Sequence, residues 1–161
     1  VGKNKKLEVF DAIYQKKEVI LVESIGDSMA LYENGYKNNL VTFGLDLSPK
    51  LLTTLITLDP KNIIIATNND SLSENNRGLQ SAVKIFLKLI KYFDINTITI
   101  QPPIKNDFGL MQEQDINFDS WYTKKRDKKK MYQYILKCSK DLPKTLMTPT
   151  SKKIIQSRLN E

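Results

Sequence analysis

Two carboxylates near the start of the chain lie where acid–base or metal chemistry would need them. Glu23 comes directly after the apolar run 19–22, and Asp27 follows it four residues later. A short apolar run rich in β-branched residues predicts a buried parallel strand, and open α/β sheets bind their ligands at the carboxyl ends of such strands. We therefore predict catalytic roles for Glu23 and Asp27. For Asp27 alone, the simpler alternative is a cap on the helix that follows.

Polar and acidic residues also follow two later apolar runs. Asn68 and Asp70 come after the run 62–66, and Asp107 comes after the run 97–100. Parallel strands end at one edge of a sheet, so these carboxylates would repel one another unless a cation lay between them. Mg²⁺ and Mn²⁺ prefer such oxygen ligands. The predicted metal ligands are Glu23, Asn68, Asp70 and Asp107. At any single position, the alternative is that strand ends and loops are simply polar.

The composition excludes several other kinds of site. The chain has no histidine and a single cysteine, Cys138, which rules out Cys-based zinc sites and Ser-His-Asp triads. No apolar run approaches the ~20 residues that a membrane-spanning helix needs, and we expect a soluble, cytoplasmic protein.

Strands and helices alternate along most of the chain. Apolar runs predict strands at 19–22, 40–43, 62–66 and 97–100. Helical periodicity and capping residues predict helices at 2–17, 28–33, 49–59 and 78–93. This alternation is typical of βαβ units. We therefore predict an α/β fold with a central, parallel, four-stranded sheet flanked by helices. Its predicted parts are a lead-in helix over 1–16, the sheet domain over 17–116 and a basic helical extension over 117–161.

The positive charge is concentrated in the C-terminal segment. Residues 117–161 hold twelve Lys and Arg against four Asp and Glu, whereas the rest of the chain holds thirteen against fourteen. Such asymmetry indicates a polyanionic partner, with nucleic acid the first choice. The predicted nucleic-acid-binding residues are Lys124, Lys125, Arg126, Lys128, Lys129 and Lys130. The alternative is a solvated lysine face on helices predicted at 118–138 and 151–159.

Aromatic residues alternate with these cations, at positions Trp121, Tyr122, Tyr132 and Tyr134. Single-stranded nucleic acids bind to surfaces that combine cations for phosphates with aromatic rings for bases. The alternative, which is compatible with cation-mediated binding, is a buried stripe of an amphipathic helix. The residues of this stripe would be Trp121, Tyr122, Met131, Tyr134, Ile135 and Cys138.

The segments that carry the acidic residues resemble the Toprim domain of DnaG-type and bacteriophage-like DNA primases. E-x-x-x-D lies within VILVESIGDSMAL (19–31), and G-x-x-L-S ends VTFGLDLS (41–48). A-x-x-N-D ends IIIATNND (63–70), NRGLQSA (76–82) follows, and PPIKNDFGLM (102–111) resembles the fourth-strand segment of primases. Each segment alone is weak evidence for this family, but all of them occur in the order and at the spacing of the Toprim domain.

The resemblance implies a role for each acidic residue. Glu23 matches the glutamate that acts as an acid–base or metal-organising group, and Asp27 matches the aspartate four residues later. Asp70 matches the second member of the Asp-x-Asp metal pair, and Asp107 matches a later metal ligand.

The sequence also departs from the Toprim pattern. Asn68 stands in place of the first aspartate of the metal pair, Gly109 in place of a further acid, and Ser24 in place of a glycine. An asparagine offers a metal only a neutral carbonyl oxygen. Asp46 and Glu74 are further acids that could compensate for Asn68.

The resemblance implies a primase domain that uses Mg²⁺ or Mn²⁺ to join ribonucleotides on a DNA template. Its implied partners are single-stranded DNA and nucleoside triphosphates, with a replicative helicase as a further candidate and no membrane. We expect the chain to be a fragment of a larger protein. This fragment alone would bind metal but would make no primers. Two alternatives remain open: a Toprim-type nuclease, which Asn68 disfavours, and a catalytically degraded module that binds nucleic acid or a replication partner.

Overall fold

The structure of the protein is a computed structural model that describes residues 3–44, 46–70 and 76–161, with side chains from residue 7 onward. The strands within these residues are β1 (Glu18–Val22), β2 (Asn39–Val41), β3 (Asn62–Ile65) and β4 (Ile98–Ile100). The α-helices are α1 (Lys3–Lys16), α2 (Ile25–Glu33), α3 (Pro49–Leu58), α4 (Arg77–Leu89), α5 (Phe108–Glu113), α6 (Phe118–Tyr122), α7 (Lys128–Cys138) and α8 (Pro149–Leu159).

The four strands form one parallel sheet in the order β2-β1-β3-β4. In the register of the sheet, Ile20 of β1 lies beside Asn39 of β2 and Ile64 of β3, and Ile64 lies beside Thr99 of β4. The central strands β1 and β3 are almost wholly apolar because helices cover both faces of the sheet. This arrangement confirms the predicted α/β fold with a four-stranded parallel sheet flanked by helices.

Alternate residues of the central strands supply two core clusters, one on each face of the sheet. Leu21 and Ile65 belong to the cluster that is completed by α1, α3, α4, α7 and α8. Ile20 and Ile64 belong to the other, which is completed by α2, α5 and α6. Trp121 of α6 lies in the second cluster, so the C-terminal segment contributes to the core on both faces.

The prediction of one helix over 118–138 is wrong, because α6 ends at Tyr122 and α7 begins at Lys128. Trp121 packs on one face of the sheet and Ile135 on the other, so the chain must pass around the edge of the sheet between them. Asp127 caps the new helix by accepting a hydrogen bond from the N–H of Lys130 at 3.1 Å.

Strand β2 ends two residues earlier than predicted. Phe43 has a φ of 54° and Gly44 a φ of 134°, and these left-handed conformations turn the chain out of the sheet. The prediction also missed the short helix α5. None of the described helices has the length and apolar character to cross a membrane.

Candidate functional site

The predicted acidic site residues and Asn68 follow β1, β3 and β4 at the carboxyl edge of the sheet, with Asp27 in α2 and the others on loops. Glu23 is the first residue after β1, and its Oε2 accepts a hydrogen bond from the backbone N–H of Asn68 at 3.2 Å. This contact joins the end of β1 to the end of β3. Glu23 is partly exposed, so its carboxylate remains accessible from the edge of the sheet.

The carboxylate of Asp70 is held by donors from two different loops. Its Oδ2 accepts the N–H of Gly78 in the first turn of α4 at 2.9 Å, and its Oδ1 accepts the side-chain amide of Asn106 at 2.8 Å. The N–H of Asp70 donates to Oδ1 of Asn76, which also caps α4. The positive end of the helix dipole favours a carboxylate at this position.

Gly78 allows α4 to begin in contact with the end of β3. A Cβ atom at position 78 would lie 1.8 Å from the carbonyl oxygen of Asn68, a distance that no side chain can occupy. The hydroxyl of Thr67 also donates to the carbonyl of Gly78 at 2.6 Å. Only glycine therefore permits the close approach that places the N–H groups of α4 beside Asp70.

Asp27 is buried, with 3% of its surface exposed, and the protein already satisfies both of its carboxylate oxygens. Its Oδ1 accepts the N–H of Phe108 at 2.9 Å, and its Oδ2 accepts the hydroxyl of Ser24 at 2.8 Å. These contacts join α2 to the start of α5. They favour a positioning role for Asp27, and its catalytic role stays a prediction.

Asp107 caps α5 through a hydrogen bond from the N–H of Leu110 to its Oδ1 at 2.7 Å. Its partly exposed side chain lies on the loop after β4. The sequence therefore places Asp107 correctly at a strand end, where it also starts a helix.

The electrostatics of the edge show that its carboxylates interact. Burial raises the pKa of Glu23, the N–H of Asn68 opposes this shift, and the carboxylates of Asp70, Asp27 and Asp107 raise the pKa further. Burial also raises the pKa of Asp27, against the hydrogen bonds from Ser24 and Phe108. A cation bound at this edge would relieve the repulsion.

Within the part of the chain that the structure describes, no group of three or more acidic, His or Cys side chains is close enough to hold a metal ion. Mg²⁺ is commonly bound by one or two carboxylates together with substrate phosphates. A cation at this edge would therefore need a phosphate ligand beside the carboxylates, because the described residues do not form a cage of protein ligands alone.

Asp46 and Glu74 are the two acids considered as replacements for Asn68. Asp46 forms a salt bridge with Lys88 at 2.6 Å, away from the strand-end carboxylates. Glu74 lies outside the described residues.

Most of the predicted basic residues line a groove of about 450 Å³ beside β4, which we call the β4-edge groove. The cations that line it are Lys124, Lys125, Arg126, Lys128 and Lys130. Lys129 is exposed and is not part of the lining. Asn69, the neighbour of Asp70, lies at the groove as well, so the groove adjoins the acidic edge.

The aromatic residues of the C-terminal segment lie mainly in the core. Trp121 is 1% exposed and Tyr132 is 4% exposed, so their rings are not available for bases to stack on. The buried-stripe alternative therefore describes Trp121 and Ile135 correctly, although they belong to two different helices, and it did not include Tyr132.

Sequence reasoning missed two residues that organise the site, Asn106 and Asn76. Asn106 binds Asp70 through its side chain, and its carbonyl accepts the N–H of Asn69 at 2.7 Å. Nothing in the local sequence distinguishes Asn106 from an ordinary loop residue. Asn76, in contrast, precedes a helix and is a recognisable N-cap.

Comparisons of this chain with protein-family models, with curated proteins and with solved structures find no match.

Proposed function

We propose that the chain is a Toprim-like domain of a DNA primase, which joins ribonucleotides on single-stranded DNA with the help of Mg²⁺. The observation that carries the proposal is that Glu23, Asp70 and Asp107 follow three parallel strands at one edge of the sheet, where burial first and the neighbouring carboxylates second raise the pKa of Glu23. Phosphoryl transfer depends mainly on positioning and on charge neutralisation, which such an edge can supply. The proposal places the protein in the cytoplasm, with a replicative helicase as a candidate partner.

In this proposal, one or two of the carboxylates of Glu23, Asp70 and Asp107 bind the ion together with a substrate phosphate, and the Asn68 side chain contributes a neutral oxygen. The bound ion would neutralise charge on the phosphate that is transferred. Asn106 and the first turn of α4 fix the orientation of the Asp70 carboxylate. The raised pKa of Glu23 brings this carboxyl nearer to the range in which an acid–base group works well.

A second candidate function is a catalytically degraded module that binds nucleic acid or a replication partner. The observation in its favour is that the described residues contain no cluster of three potential metal-ligating acids, His or Cys. Asn68 and Gly109, which stand where the Toprim pattern has acids, point in the same direction.

A titration of the purified chain with Mn²⁺, followed by electron paramagnetic resonance, separates the two functions. We expect saturable binding that is strengthened by a nucleoside triphosphate and lost in Asp70→Ala. Asp11→Ala, which removes an exposed carboxylate from α1, is the matched control and should bind like the wild type. Absence of a site at millimolar Mn²⁺ with nucleotide present would overturn the catalytic proposal and favour the degraded module.

A further inference from the structure

The β4-edge groove lies where the sheet is open. Within the described parts of the chain, strand β4 is an edge strand that pairs only with β3. On its other side, the N–H of Ile100 points towards the sulfur of Met131 at 3.3 Å, so the start of α7 covers the edge only in part. The groove runs between the end of β4 and the loop that joins α6 to α7.

The walls of the groove carry an excess of positive charge. Five cations and one acid, Asp127, line it, and Asp127 is already used as the cap of α7. None of the salt bridges found among the described residues involves a cation of the groove. Arg126 interacts with the carboxylate of Glu18, which accepts the hydroxyl of Tyr122 at 2.8 Å, and Lys128 interacts with the carboxylate of Asp94. These acids compensate the positive charge of the groove only in part.

Two of the cations are partly removed from water. Burial lowers the pKa of Arg126. Burial also lowers the pKa of Lys128, and the positive charge of Arg126 lowers it further. Lys128 is held in place by donating to the carbonyl of Asn96 at 2.7 Å. Partly buried cations that repel one another bind anions more strongly than a solvated lysine face does, since the anion replaces lost hydration.

The groove also has an apolar side, made by Pro102, Pro103, Ile104 and Met131. Ile104 is 41% exposed, which leaves an apolar surface open to a ligand. Single-stranded nucleic acid offers phosphates and unstacked bases together, whereas a duplex keeps its bases inside. The combination of cations and apolar surface in one narrow groove thus fits a single strand better than a duplex.

We propose that the β4-edge groove binds single-stranded nucleic acid and leads the strand towards the carboxyl edge of the sheet. Binding in the groove stands on its own, whereas the direction of the strand rests on the proposed function. Because Asn69 lies at the groove and Asp70 at the acidic edge, a strand in the groove passes next to the candidate catalytic residues.

Fluorescence anisotropy with a labelled DNA single strand of about twelve nucleotides tests the binding, in EDTA so that no metal contributes. The groove variant is Lys124→Ala/Lys125→Ala/Lys130→Ala, which removes three exposed cations. We expect its affinity to fall at least about tenfold. The slope of log affinity against log salt concentration should become shallower by about 2, because each of the three lost phosphate contacts contributes ~0.7 to the slope on a single strand.

The matched control is Lys144→Ala/Lys152→Ala/Lys153→Ala, which removes the same charge from exposed positions outside the groove. We expect it to bind almost like the wild type. An equal loss in both triple variants would mean that only net charge matters, and would overturn the proposal. A duplex of the same sequence that binds as tightly as the single strand would overturn it too.

A second pair of variants tests the apolar side of the groove. Ile104→Glu places a negative charge in the groove, and Ile154→Glu places one at an equally exposed isoleucine of α8. We expect only the first to weaken binding by more than about fivefold. The Mn²⁺ titration and the oligonucleotide assay in EDTA are independent measurements on the wild-type chain. Absence of a Mn²⁺ site with oligonucleotide binding retained would count against the catalytic function alone, and the reverse result against the groove alone.

Discussion

Asn68 is the residue on which the charge of the candidate site depends. Its backbone N–H binds Glu23, and its neutral side chain stands two positions before Asp70. We expect Asn68→Asp to raise the affinity for Mn²⁺ by about tenfold, because ligand charge strengthens the binding of hard cations. The Mn²⁺ titration measures this change directly.

Asn62→Asp is the matched control for this substitution, because it adds the same charge at an exposed position at the opposite end of β3. It should leave the Mn²⁺ affinity unchanged. If Asn68→Asp has no more effect than Asn62→Asp, the edge of the sheet is not shaped for a cation.

The raised pKa of Glu23 predicts a pH dependence of stability. The native chain keeps the proton of Glu23 up to a higher pH than the unfolded chain, in which the pKa is near its ordinary value of 4.5. The free energy of unfolding should therefore fall as the pH rises from 4.5 through the raised pKa of Glu23 in the native chain. Glu23→Gln should flatten this fall and raise stability at neutral pH, as measured by urea unfolding across the range.

Glu113→Gln, at an exposed position of α5, controls for the loss of one carboxylate. In both variants, Asp27 also makes the free energy of unfolding fall as the pH rises, since burial raises its pKa as well. A wild-type stability that rises with pH across this interval would contradict the electrostatic description of the edge.

The types of residue at the strand ends could be predicted from the sequence, but their surroundings could not. The short apolar runs fix where strands end, and parallel strands must end together. Whether Asp27 is buried or accessible depends on how the loop at Phe108 packs against α2. That packing joins residues far apart in the chain, and no local pattern encodes it.

Helix α4 controls the candidate site through the close contact at Gly78. In Gly78→Ala, the new methyl group would meet the carbonyl of Asn68, so α4 must move away from β3. We expect the free energy of unfolding to fall by at least about 2 kcal/mol. Mn²⁺ affinity should fall too, because Asp70 loses the N–H of residue 78. Urea unfolding and the Mn²⁺ titration measure the two effects.

Gly26→Ala in α2 is the control for this change, since its Cβ would meet no atom closer than 3.7 Å. An alanine in a helix is favoured over glycine, and this variant should gain roughly 0.5 to 1 kcal/mol. Equal stabilities of the two variants would mean that α4 does not pack against β3 as described.

The elements with strong local signals were the ones that could be predicted. The apolar runs of β1 and β3 and the Ser48 cap of α3 define their elements within one or two residues. The break between α6 and α7 was missed because both halves have helical periodicity. The chain leaves the helix there because Trp121 and Ile135 pack on opposite faces of the sheet, which is a tertiary effect.

On the scale of the whole molecule, the C-terminal segment has two roles that the sequence presents as alternatives. Its cations line the β4-edge groove, and its apolar residues complete both core clusters. The alternation of aromatic and basic residues therefore combines the buried faces of α6 and α7 with the cations of the loop between them and of the first turn of α7. Five of the twelve cations of this segment line the groove, so the groove accounts for part of the charge asymmetry.

The contribution of this segment to both cores predicts that the described fold unfolds as one cooperative unit. Trp121 is the only tryptophan of the chain and is buried in one cluster, while far-ultraviolet circular dichroism reports on the helices around both. We expect the two signals to give coincident transitions in urea.

A chain that ends at residue 116 lacks Trp121, Ile135 and Ile155. It should show no cooperative transition, because each lost core residue costs about 2 to 5 kcal/mol. If residues 1–116 instead unfold cooperatively with the midpoint of the full chain, the C-terminal segment is an independent domain, and the groove at β4 would then have to form between two separable units.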